Sequence, residues 1–94
     1  MAMTEEVWVC WQCNGRDDVS RVRDLSLGGL FLETHQSRAV GATTKVDFLV
    51  REGQIRTDAI IRHVVPGRGL GLKFTAVTEQ DYRKFAALLH RLRT

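Results

Sequence analysis

Apolar and polar residues alternate with a period of two through most of this chain, in short blocks separated by glycine or polar turns. That is the pattern of half-buried strands rather than of helices. The first block, about Val7 to Cys13, sets Val7, Val9 and Trp11 against Trp8, Cys10 and Gln12, and ends at Asn14-Gly15, a strong short-range hairpin signal. The second runs from about Val19 to Asp24, and Gly28-Gly29 separates it from a third, about Leu30 to Thr34. A polar stretch from His35 to Thr43, carrying Gly41, reads as a surface connection. Three further blocks cover about Thr44 to Val50, Gln54 to Val64 and Gly69 to Ala76, with Glu52-Gly53 and Pro66-Gly67 as turns between them.

The period changes near the end of the chain. Thr78 with Asp81 three residues on is a capping-box variant, and Glu79 and Asp81 place negative charge at the positive end of a helix. Tyr82, Phe85, Ala86, Leu89 and Leu92 then recur at helical spacing, with His90, Arg91 and Arg93 where cations are favoured. The stripe predicts core packing, as a lid on one barrel opening or against an edge of the sheet. The fold class is therefore all-β with a C-terminal helix: six short strands in a closed antiparallel barrel or sandwich, and one helix.

Composition narrows this picture. Ninety-four residues suit one core, so a single domain over residues 1–94 is expected, and 44% hydrophobic with 27% charged residues is a globular balance. No apolar run is long enough to cross a bilayer, and Met1 to Glu6 is polar and acidic rather than a leader, which predicts a cytoplasmic protein with no membrane partner. The net charge of +3 is too mild for a dedicated nucleic-acid binder but suits a module that meets a small anion. Cys10 and Cys13 form a lone CxxC, a weak zinc signal, and strand geometry points the two thiols to opposite faces, so no metal is expected. His35, His63 and His90 fall in different kinds of segment, no serine has a base partner in the pattern, and Asp17-Asp18 beside Gly15 reads as turn chemistry. An enzyme is not expected, and no catalytic residue or cofactor is assigned.

The stretch from Arg21 to Leu30 is different, because it places charge, hydroxyl and two glycines between two apolar strands. The plain reading is a turn in which Asp24 and Ser26 bond local backbone N–H groups and Gly28 or Gly29 supplies a positive φ. That leaves Arg21 and Arg23 unexplained, at alternate positions facing one side of the strand. A guanine offers N1–H and N2–H₂ donors to a carboxylate and O6 and N7 acceptors to a guanidinium fork. Asp24 and Arg21 or Arg23 suit those two edges, and Ser26 adds an adaptable hydroxyl.

At these residues the chain resembles the PilZ family of bacterial cyclic di-GMP receptors, whose second signature is [D/N]xSxxG: Asp24, Ser26 and Gly29 match it in register. The run Asp24-Leu25-Ser26-Leu27-Gly28-Gly29-Leu30-Phe31-Leu32, Gly41 before Val46-Asp47-Phe48-Leu49-Val50, and Gly69-Leu70-Gly71-Leu72-Lys73-Phe74 before a helix extend the likeness. The resemblance implies a six-stranded antiparallel barrel with a helix, and cyclic di-GMP as the ligand. Asp24, Ser26 and Gly29, with Arg21, Arg23 and Arg62, are the candidate ligand-binding residues.

One departure matters. The family's first signature, RxxxR, lies just before the first strand and grips the ligand's phosphates and guanines. Here that place is Met1 to Glu6, with two glutamates and no arginine, while Arg16 and Arg21 are spaced RxxxxR inside the first hairpin. Losing two charge-assisted contacts forfeits roughly 3 to 6 kcal/mol. The expectation is a PilZ-type module that binds cyclic di-GMP weakly. The alternative is a ligand-independent adaptor for a protein partner in motility or surface-attachment machinery. Nucleic-acid binding through Arg21, Arg23 and Arg62 is disfavoured, because few exposed aromatics interleave with them.

Overall fold

The computed structural model describes residues 5–93. Strands β1 (Val7–Cys13), β2 (Arg16–Leu25), β3 (Gly29–Glu33), β4 (Thr43–Phe48), β5 (Ile55–Val65) and β6 (Gly69–Val77) precede one helix, α1 (Glu79–Arg93). The strands close into a barrel in the order β1-β2-β3-β6-β5-β4, and every neighbouring pair is antiparallel. Closure is one way an antiparallel sheet removes its unpaired edges.

The first hairpin is tighter than the sequence suggests. Asn14 and Gly15 both have positive φ, at 54° and 77°, as a two-residue type I′ turn requires. Cys13 therefore pairs directly with Arg16, and β2 begins there rather than at Val19. Asp17 and Asp18, expected in a turn, are strand residues opposite Gln12 and Trp11. A turn of this kind leaves no loop for them to occupy.

Alternation sorts the side chains as the pattern predicts. Val7, Val9, Trp11 and Cys13 point inward and join Val22, Leu25, Leu32, Val46, Ile55, Ile61 and Leu70 in one core. Trp11 is 1% exposed, and its indole Nε1–H donates to the Ser20 hydroxyl at 2.9 Å, so the ring is buried with its one polar atom satisfied. Cys13 faces this core while Cys10 lies half-buried on the outside, so the two thiols are on opposite faces as expected.

The helix begins as its sequence directs. The Asp81 backbone N–H donates to Thr78 Oγ1 at 3.1 Å, an N-cap. The Asp81 carboxylate does not complete a capping box but accepts from the Arg56 backbone N–H at 3.3 Å, tying the helix start to β5. Its core face is Phe85, Leu88, Leu89 and Leu92, all part of the barrel's core cluster, so the helix extends the barrel core. The expected stripe is corrected in two places: Tyr82 is 47% exposed and Ala86 is exposed, while Leu88 is buried. The set 85, 88, 89, 92 is the i, i+3, i+4, i+7 face, and Ala86 turns away from it. Phe85 stacks edge-on against Phe74, with centroids 5.4 Å apart, and tilts against Phe48 at 5.5 Å. Arg91 grips Glu52 in the β4–β5 turn through two hydrogen bonds and also pairs with Glu5.

Candidate functional site

Strands β2 and β3 are joined by Ser26-Leu27-Gly28, and this short connection is held by its own backbone. The Ser26 N–H donates to the Gly29 carbonyl at 2.9 Å, and the Gly28 N–H donates to Ser26 Oγ at 3.3 Å. The Gly28 carbonyl accepts from the Phe74 N–H at 2.9 Å, which anchors the turn to β6. Ser26 thus does the local work expected of a turn serine.

The two glycines are explained differently from the sequence expectation, since neither is among the residues with positive φ. Gly29 is required by close approach: a Cβ there would lie 2.1 Å from the Leu72 carbonyl oxygen of the neighbouring strand. Gly28 faces open space. The need for glycine at position 29 is therefore a packing constraint between β3 and β6.

Asp24 departs from the plain turn reading altogether. Among the described residues its carboxylate bonds no backbone N–H, and its one hydrogen-bond partner is the Nε of the adjacent Arg23, at 3.3 Å. Its side chain is 52% exposed, so the fold asks nothing of it. It opens onto a groove of about 420 Å³ on the outer face of β2, β3, β6 and β5, within the usual range for small-molecule sites. Arg23, Asp24, Ser26, Phe31, Arg62 and His63 line it, with Gly29 at its edge. Five of the six sequence candidates thus come together on one groove.

Arg21 is the exception. Its guanidinium makes two hydrogen bonds to Glu33, Nε at 3.0 Å and Nη2 at 2.9 Å, and a third to Glu6 at 2.8 Å, and it does not line the groove. The hydrogen bonds from Arg21 hold the Glu33 carboxyl below its ordinary range and those to Glu33 and Glu6 raise Arg21 further, so Arg21 and Glu33 stay ionised near neutrality. Glu5 and Glu6, in the segment before β1, pair with Arg91 and Arg21 respectively. The rest of that segment, Met1 to Thr4, lies outside the described residues.

Sequence reasoning missed Phe31 and His63. Phe31 points away from the core yet is only 7% exposed, because it lies flat along β6 where Gly69 has no side chain. His63, itself exposed, lies over Gly71, and the two rings stand 6.1 Å apart. A Cβ on either glycine would meet its ring at 2.5 Å or closer. The readable signal was the spacing Gly69-Leu70-Gly71, which leaves one face of a strand bare. A second groove of about 410 Å³ over β1, β4 and β5 has Lys45 and Asp58 directly opposite one another across the strands, so its charges offset. The groove at Asp24 sets two arginines against one carboxylate and is the better anion site.

A PilZ domain family model matches residues 5–91 of the chain. No curated protein sequence matches it. Among solved structures, the PilZ domain of CeSA from a cellulose-synthesizing bacterium superimposes with a TM-score of 0.75 at 17% identity, covering 96% of this chain and 95% of that one. MrkH of K. pneumonia in its apo state gives a TM-score of 0.75 at 17% identity, covering 98% of this chain but 48% of that chain. At this identity the structural likeness carries the fold alone: a closed six-stranded antiparallel barrel with one C-terminal helix.

Proposed function

The chain belongs to the PilZ domain family of non-enzymatic cyclic di-GMP signalling modules, and from that premise we propose that it binds cyclic di-GMP in the groove beside Asp24. The observation that carries this reading is the idle carboxylate. Asp24 is half exposed, bonds no backbone group among the described residues, and opens onto a groove large enough for a nucleotide. Its two oxygens accept the N1–H and N2–H₂ donors of one guanine, a charge-assisted pair. Ser26 and Gly29 contribute by shape, the first closing the turn and the second letting β3 approach β6 closely. Arg23 and Arg62 supply positive charge to the groove.

Binding is weak in this reading. Where the family's arginines lie, this chain carries Glu5 and Glu6, which pair with its own Arg91 and Arg21. No helix among the described residues is long and apolar enough to cross a membrane. A cytoplasmic address belongs to the proposal. So does a protein partner that receives the signal, as the family's receptor and adaptor roles suggest.

Asp24→Ala is the test. With no fold contact to lose beyond an exposed pair with Arg23, it should leave the melting temperature within a degree or two of the parent. Two hydrogen bonds to a charged group are worth about 1.5–3 kcal/mol each, so affinity for cyclic di-GMP should drop at least about tenfold. Unchanged affinity removes Asp24 from the site.

The adaptor reading, in which the barrel holds a partner protein without any ligand, has its own supporting observation. Trp8, Val19 and Leu49, at 44%, 52% and 55% exposed, lie together on the outer face of β1, β2 and the end of β4. Trp8 neighbours Leu49 through a backbone hydrogen bond, and Val19 pairs with Cys10, two residues along β1 from Trp8. Exposed apolar clusters of this kind often mark protein contacts. A saturable cyclic di-GMP isotherm favours the ligand reading; its absence favours this one.

A further inference from the structure

Three register irregularities interrupt the barrel among the described residues, and two of them leave out a residue that lines the Asp24 groove. On β2 the pairing steps from Val22 to Asp24 and skips Arg23; on β5 it steps from Ile61 to His63 and skips Arg62. A bulge leaves one residue out of the ladder and turns its side chain away from the regular alternation. Here both skipped residues are arginines, and both line the same groove.

Arg23 is also held in a particular posture. Its guanidinium carbon lies 4.1 Å from the centroid of the Phe31 ring, and its Nε lies 3.3 Å from Asp24 Oδ2. Phe31 cannot retreat, because it already fills the space over Gly69, nor can His63 beside it, which covers Gly71. The guanidinium is thus laid on a fixed aromatic floor with its side chain still 49% exposed. A flat guanidinium backed by a ring is a stacking surface for another flat, electron-rich group. Arg62 is exposed and has no ion-pair partner among the described residues.

We propose that the two bulges build a purine-phosphate grip: Arg23, backed by Phe31, stacks on the guanine whose edge Asp24 reads, and Arg62 meets the phosphate across the groove. This rests on the cyclic di-GMP reading above and gives the ligand's two chemical parts separate residues. In this account the grip supplies cationic contacts from within the barrel, in a chain whose N-terminal segment carries glutamates.

The test separates stacking from charge. Arg23→Lys keeps the positive charge but removes the flat fork, and Arg62→Gln removes charge at an exposed position. Affinity for cyclic di-GMP is measured by calorimetry at low and at moderate salt, with melting temperatures as a fold control. Arg23→Lys should bind roughly tenfold more weakly, as the loss of one base stack implies, with the salt dependence of the parent. Arg62→Gln should bind more weakly at low salt and show a shallower salt dependence, because one screened attraction is gone. Phe31→Leu, which takes away the backing ring, should weaken binding in the same direction as Arg23→Lys, and the two together should lose little more than either alone. Arg23→Lys with parental affinity overturns the stacking role, and Arg62→Gln with parental salt dependence overturns the phosphate role. A parent that binds no cyclic di-GMP overturns the underlying reading and the grip with it, whereas a parent that binds while both variants match it overturns the grip alone.

Discussion

Replacing Phe85 with alanine is expected to cost about 3–5 kcal/mol of folding stability, the usual range for deleting a buried aromatic ring. The ring is 1% exposed and wedged between Phe48 of β4 and Phe74 of β6, with centroids 5.5 and 5.4 Å away. Truncation removes its own burial and also strips two neighbouring rings of their packing, and the barrel wall on either side is hydrogen-bonded and cannot collapse inward to fill the space. Such a loss is a large share of the 5–15 kcal/mol typical of a folded protein. Chemical denaturation measures it, with Tyr82→Ala as the control. Tyr82 lies on the same helix but is 47% exposed and should cost far less. Equal effects at the two positions would mean that the helix does not pack on the barrel through Phe85.

The second large effect is a gain. Replacing the segment before Val7 with one bearing Arg-x-x-x-Arg should raise affinity for cyclic di-GMP at least about tenfold. Removing Glu5 and Glu6 and adding two cations changes the local charge by about four units, which favours a dianion at low salt. The structure shows that a side chain at position 6 reaches the outer face of β2, because Glu6 already bonds Arg21 there at 2.8 Å. Arg21, released from Glu6, would keep its two hydrogen bonds to Glu33. Only exposed or partly exposed ion pairs are given up, so the cost in stability is small. The gain is limited by the chain entropy lost when the new segment orders on the ligand. It should fall back when Asp24→Ala is added, which ties it to this groove; a graft that binds no better than the parent would make the turn at Asp24 a structural remnant.

Much of the barrel was legible because local chemistry and global shape agree in it. Asn14-Gly15 demanded a type I′ hairpin, alternation in β1 sorted Trp11 from Trp8, and Thr78 marked the helix start. The start of β2 was misread for an equally local reason. Asp17 and Asp18 carry turn chemistry, yet the register fixed by the preceding turn places them in a strand.

What the sequence hid depends on partners distant along the chain. The reason for Gly29 is the carbonyl of Leu72, that for Gly69 is the carbonyl of Leu32 together with the ring of Phe31, and that for Gly71 is the ring of His63. No local propensity encodes those approaches. The bulges at Arg23 and Arg62 are similarly invisible, since the extra residue shows only when both strands are seen side by side. The fold nevertheless brings five of the six candidate residues onto one groove and leaves Arg21 off it, where Glu33 answers it from the adjacent strand.

Titration of the parent protein with cyclic di-GMP by isothermal calorimetry tests the central claim most directly. The groove beside Asp24, with its two bulge arginines, predicts a saturable isotherm with one weak site that is lost in Asp24→Ala at unchanged melting temperature. Silence up to high micromolar ligand, from a protein that melts cooperatively, would contradict it.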